Sequence, residues 1–94
     1  MQIQQRLTAH LTIHRLSFLF NAIPRNSALR LAVYETLVRQ TSSHDKVELL
    51  QITPESIERW TSEWTITPER KFDFLRLLVE VFEKAGQLYV FSLV

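Results

Sequence analysis

The sequence predicts an all-α chain of stacked antiparallel helix pairs, and three observations carry that prediction. Only one glycine, Gly86, and three prolines stand among 94 residues, too few turn formers for a many-stranded sheet. Thr-Pro-Glu occurs twice, at 53–55 and 67–69, and each copy reads as a helix start. Threonine caps, proline fits the first helical position without losing a bond, and glutamate suits the positive end of the dipole. Finally, the stretch from Pro68 to Ala85 is apolar well beyond the roughly 100° stripe of an ordinary surface helix. Such breadth is expected of a helix covered on two sides, as in stacks where each helix pair touches the next.

Five helical segments follow in order. The first spans about Ile3 to Ala22, with Leu7, Leu11, Phe18 and Ala22 along one face and Ile13, Leu16 and Phe20 beside it. Pro24 and Arg25-Asn26-Ser27 make the turn, with Ser27 or Asn26 as the next cap. The second helix runs from Ala28 to about Gln40, carrying Leu29, Val33 and Leu37 on one side and Leu31, Tyr34 and Val38 on the other. Thr41-Ser42-Ser43-His44-Asp45 reads as a loop, and Lys46 to Ile52 as either a helical turn or a short extended link. A short third helix starts at Pro54 and ends near Trp64. The fourth, Pro68 to Ala85, confines its polar residues to the stripe Glu69, Asp73, Arg76, Glu80 and Glu83. Asp73 with Arg76, Arg76 with Glu80 and Glu80 with Lys84 have helical-neighbour spacing, worth a few tenths of a kcal/mol each. Gly86 occupies the position a helix C-cap favours. The last segment, residues 87–94, is apolar and reads as helix rather than strand, because a lone strand would have no partner.

The most informative stretch is the tryptophan pair of the third helix. Ile57, Trp60 and Trp64 share one face by their three- and four-residue spacing. So heavy an apolar face on a short element demands neighbours, and Trp64 is expected against Phe72 or Leu75, with Leu78 completing the packing. The helical pairing expected is the second helix on the first and the fourth on the third. Arg59 beside the tryptophans also permits stacking on RNA bases, but a face shared with Ile57 favours packing. The final segment offers Leu88, Tyr89, Phe91, Leu93 and Val94 with too little chain left to cover them all. These five are the candidate partner contacts, and an end inside an apolar run suggests a piece of something longer.

Composition narrows the function classes. The apolar fraction is 46% and the formal net charge +1, with acids and bases read as interleaved, so the footprint of a dedicated nucleic-acid binder is not expected. There is no cysteine, hence neither a disulfide framework nor thiol chemistry. No run approaches the roughly 20 apolar residues of a membrane span, and Arg6, His10, His14 and Arg15 interrupt any signal-peptide core. His10 and His14 have the spacing of two metal ligands on a helix, but the sequence supplies no third ligand at a useful position and no intervening glutamate. The serines stand in no nucleophile motif, and one glycine cannot form a phosphate loop. The expectation is a non-enzyme without catalytic residues, metal, cofactor or small-molecule ligand.

Four blocks in this order carry a resemblance: Leu19-Phe20-Asn21; Asn26-Ser27-Ala28-Leu29-Arg30 leading into Val33-Tyr34-Glu35-Thr36-Leu37; Arg59-Trp60…Glu63-Trp64…Thr67; and Phe74-Leu75-Arg76-Leu77-Leu78. Together they resemble the PCI-domain family, and within it the M subunits of eukaryotic translation initiation factor three. The resemblance covers about Arg15 to Ala85. It implies that residues 1–94 are part of a helical-repeat region (of the TPR or HEAT kind) from which the family's winged helix is absent. It further implies a cytoplasmic, non-catalytic scaffold, with other factor subunits as partners and the small ribosomal subunit contacted indirectly or weakly. Related PCI subunits serve the COP9 signalosome and the proteasome lid, which makes a scaffold of those complexes the alternative. An RNA-binding helical repeat is the reading from a different class.

Overall fold

A computed structural model describes the backbone of residues 2–41 and 51–93 and the side chains of residues 9–41 and 51–86. Four helices follow one another: α1 (Gln2–Ala22), α2 (Ala28–Val38), α3 (Pro54–Ser62) and α4 (Pro68–Leu93). The described residues contain no strand. The loop expected at 42–45, and the link expected from Lys46 on, lie outside the described residues except for the irregular stretch at 51–53.

Local chemistry explains where each helix starts. At α3, Thr53 is extended and its Oγ1 accepts from the Ser56 backbone N–H at 3.1 Å, with Pro54 in the first position. At α4, Thr67 Oγ1 accepts from the Arg70 N–H at 3.3 Å. Before α2, the Ser27 N–H donates to the Pro24 carbonyl at 3.0 Å. Ser27 has the extended conformation of a cap, yet its hydroxyl makes no capping bond.

The far end of α4 corrects one expectation. Gly86 does not close the helix; α4 continues through it to Leu93, and no glycine or other described residue takes a positive φ. A lone glycine costs a helix only about 0.5–1 kcal/mol relative to alanine, too little to end one that has no proline or cap behind it. The fourth and fifth segments are one helix of 26 residues.

The helix contacts also differ from the expected order. The most extensive helix–helix contacts are α1 with α4, α1 with α3, and α2 with α3, not second on first and fourth on third. α3 therefore lies between α2 and α1, and α1 lies between α3 and α4. On α1, Ser17 Oγ and Asn21 Nδ2 donate to the Ile52 carbonyl at 2.7 and 2.9 Å, and Asn21 Oδ1 accepts from the Ile52 N–H at 3.1 Å. With His10 facing Glu58 at the other end, α1 and α3 run antiparallel. Phe20 meets Phe82 of α4 edge-on at 6.0 Å.

The core takes Ile13, Leu16 and Phe20 from α1, Val33, Tyr34, Leu37 and Val38 from α2, Ile57 and Trp60 from α3, and Leu75, Leu78, Val79 and Phe82 from α4, with Ile52 between. Thus α1 buries the 13/16/20 face and leaves Leu11 and Phe18 outside, 59% and 65% exposed. Leu77 of α4 is likewise 52% exposed and Val81 is exposed. Among the described residues, the two-sided coverage expected of α4 is one-sided. The molecule measures 43 × 31 × 17 Å, so thin that every helix keeps an outer face.

Candidate functional site

The tryptophan joint is the most completely built part of the molecule. Burial of Ile57 and Trp60 is total, both being 0% exposed. The Trp60 ring meets Tyr34 of α2 edge-on at 5.7 Å and carries the Arg59 guanidinium 5.9 Å from its centroid. Its buried indole Nε1 has no acceptor among the described residues, a state that costs about 1–3 kcal/mol. The ring is held there by apolar contact and not by its polar atom. Leu75 and Leu78, also predicted to pack, are buried in the same core, while Phe72 is half-buried under Arg76 at 5.4 Å.

Trp64 behaves differently because α3 stops short of it. The Glu63 and Trp64 N–H groups bond three residues back, to the carbonyls of Trp60 and Thr61 at 3.3 and 3.2 Å. This tightening ends the helix at Ser62. Trp64 therefore rides on the following turn, half-buried, and its Nε1 donates to the Leu37 carbonyl at 3.3 Å. Its ring partner is Phe74, edge-on at 5.5 Å, where Phe72 or Leu75 was expected. Gln40 Oε1 accepts from the Thr65 N–H at 3.3 Å, so the Trp64 turn is clasped to the end of α2.

The remaining predicted positions are soon placed. Leu88, Tyr89, Phe91 and Leu93 belong to the last turns of α4, but their side chains lie outside the described set, as does Val94 altogether. The His10 and His14 rings are in contact but tilted by 56°, with centroids 4.3 Å apart, and His10 Nδ1 lies 4.0 Å from a Glu58 carboxylate oxygen. Among the described residues no three His, Asp or Glu side chains gather as a metal would require. Of the expected ion pairs on α4, the structure has Arg76 with Asp73 at 3.2 Å, and it adds Arg15 of α1 with Glu83 at 3.3 Å.

One feature escaped the sequence reading although the signal was there. Acids and bases are not interleaved through the whole chain. Residues 1–34 contain Arg6, Arg15, Arg25 and Arg30 and no carboxylate, the first acid being Glu35. The fold gathers two of these arginines at the α1–α2 turn. A shallow cleft of about 460 Å³ opens there, lined by Asn21, Ala22, Ile23, Pro24, Arg25, Arg30 and Gln51. Arg30 is 2% exposed, donates from Nη1 to the Ile23 carbonyl at 2.8 Å, and lies 4.6 Å over the Phe20 ring. Burial, and then the nearby Arg25 charge, hold its pKa below the usual arginine value. No helix among the described residues is long and apolar enough to cross a membrane.

Comparison with known proteins places these elements in context. No protein-family profile matches the chain, and no solved structure matches it. Over 70 residues, 74% of the chain, it is 31% identical to eukaryotic translation initiation factor 3 subunit M of Bos taurus and of Homo sapiens. The Gallus gallus protein of the same name is 30% identical over 71 residues. The chain spans about a fifth of the length of these curated relatives, 19% in each case. This similarity supports the resemblance drawn from the four sequence blocks at the level of a partial match to subunit M of a translation initiation factor.

Proposed function

We propose that this chain is a non-catalytic helical-repeat segment of an initiation-factor subunit of the M type, a scaffold piece on which other subunits of the factor assemble in the cytoplasm. The observation that carries the reading is the similarity to subunit M over 70 residues. The fold supports it: all four helices contribute to one apolar core, and apolar side chains remain on outer faces of α1, α2 and α4. Helices that bury one face and keep apolar residues on another suit a repeat stack, in which each unit is completed by its neighbours. The last turns of α4, with Leu88, Tyr89, Phe91 and Leu93, are the proposed place of contact with a neighbouring subunit, and the small ribosomal subunit is reached mainly through the assembled factor.

Expression of the tagged chain in cells, followed by affinity isolation and quantitative mass spectrometry, tests this. The expected result is enrichment of initiation factor three subunits over those of the COP9 signalosome and the proteasome lid. Enrichment of either of the latter complexes instead would transfer the scaffold role to it. Recovery of no subunit of the three would remove the scaffold reading.

A further inference from the structure

We propose that Thr67 is a phosphorylation site for a proline-directed protein kinase that also reads a basic residue three positions on. The sequence holds two Thr-Pro steps, at Thr53 and Thr67, and no Ser-Pro step. Only the second continues as Thr67-Pro68-Glu69-Arg70, with a base at the third position after the threonine; the first has Ser56 there. A kinase pocket that offers no acceptor to the residue after the target strands an N–H in every residue but proline, which has none. A kinase carboxylate two residues further along selects arginine through a charge-assisted bond. Arg70 is exposed and in no ion pair among the described residues, so its guanidinium is available for that bond.

The fold separates the two copies of the motif. A kinase must reach the hydroxyl, so the threonine and a few residues on either side have to leave the surface together, by local opening. Residues 64–67 are already irregular, residues 65–70 are all exposed, and no side chain after Thr67 is buried before Leu75. The Thr67 side chain makes one bond, accepting from the Arg70 N–H at 3.3 Å. Opening the first turn of α4 therefore uncovers no buried side chain. Around Thr53 the same opening is blocked. Ile52 is 1% exposed, its backbone is held by Ser17 and Asn21, and Ser56 and Ile57 are buried on the other side. Thr53 Oγ1 is itself engaged twice, with the Ser56 N–H and the Ser56 hydroxyl. Thr67 is the open copy and Thr53 the closed one. In the transfer, Thr67 Oγ1 bonds to the γ-phosphorus of ATP while the bond from that phosphorus to its bridging oxygen breaks. ADP leaves, and a kinase carboxylate takes the hydroxyl proton. The added charge, about −1.5 to −2 at neutral pH, comes to the positive end of α4, which accommodates an anion.

The test incubates the 94-residue chain with a purified cyclin-dependent kinase and ATP, and mass spectrometry locates and times each phosphate. No other subunit takes part, so the outcome is independent of the scaffold reading. Incorporation at Thr67 is expected to be about tenfold or more faster than at Thr53. Pro68→Ala should slow it by about tenfold or more, the cost of a stranded donor, and Arg70→Ala by roughly threefold, the range of an exposed charge pair. Arg39→Ala, an exposed change outside the motif, should behave as the parent chain does, and circular dichroism verifies that the variants are folded. In the Arg70→Ala chain neither motif has the base, so the preference left for Thr67 reads the fold alone. Equal rates at Thr67 and Thr53 in that chain overturn the distinction between open and closed copies. No phosphate at Thr67, or an unchanged rate in Pro68→Ala, overturns the site. An Arg70→Ala chain modified as fast as the parent overturns the basic determinant. The phosphorylated chain is expected to melt at or above the temperature of the unmodified one, and a lower melting temperature overturns the accommodation of the phosphate at α4.

Discussion

Trp60 and Phe18 are both large aromatic residues on helices, and the molecule treats them in opposite ways. Around Trp60, α2 and α3 close completely, and even the indole nitrogen is sealed in with no acceptor among the described residues. Around Phe18 nothing closes, although the residue lies only two positions from the fully buried Leu16 and Phe20 of the same helix. The difference teaches that on α1 apolar character does not select the buried face. Ile13, Leu16 and Phe20 recur at helical spacing, and so do Leu11, Phe18 and Ala22 on the opposite side. Hydrogen bonds that Ser17 and Asn21 exchange with the Ile52 backbone lock α1 with the first set inward.

The largest effect expected from this contrast is at the closed region. Trp60→Ala should destabilise the chain by about 3–5 kcal/mol, a large share of any small domain's stability, read from the denaturant midpoint. A loss below about 1 kcal/mol would mean that the joint is not the closed core described. Next comes the lock itself. Asn21→Ala removes both side-chain bonds to Ile52 and leaves that backbone less satisfied, with an expected loss of about 1–3 kcal/mol in the same measurement. An unchanged midpoint would show that side-chain bonding does not orient α1.

Smaller and opposite in sign is Gly86→Ala. A Cβ at this position meets no atom within 4 Å, and the residue is helical, so alanine should stabilise by about 0.5–1 kcal/mol. Destabilisation would instead reveal a left-handed cap and an end of α4 near residue 85. The smallest effect belongs to the open region. Phe18→Ala should leave the unfolding free energy within about 0.5 kcal/mol of the parent, since the side chain packs little in this chain. A drop as large as that of Asn21→Ala would erase the contrast between the two aromatics.

Much of the fold was legible because helix starts are local chemistry. Thr53-Pro54-Glu55 and Thr67-Pro68-Glu69 mark α3 and α4 at the observed residues, since a cap needs only the side chain and the N–H groups one turn on. Helix ends were less legible. The α3 helix, expected to end near Trp64, stops at Ser62, and Trp64 turns to bond Leu37 of α2 and to meet Phe74 of α4, partners far away in sequence. Gly86 shows the reverse case, a permissive residue mistaken for a stop signal. The basic cleft was readable in part: an acid-free stretch of 34 residues is visible in the sequence. That Arg25 and Arg30 line one cleft with Gln51 required the fold.

By itself, the sequence determined an all-helical chain, the two Thr-Pro-Glu starts, and the commitment of Ile57 and Trp60 to an interior, because capping and helical periodicity act within a turn or two. Tertiary structure alone decided which stripe of α1 faces inward, which helices touch, and where the outer apolar residues Leu11, Phe18 and Leu77 are left. Those choices depend on competition between faces of similar hydrophobicity. Contacts between distant segments settle that competition: Asn21 and Ser17 on Ile52, Phe20 on Phe82, and Tyr34 on Trp60.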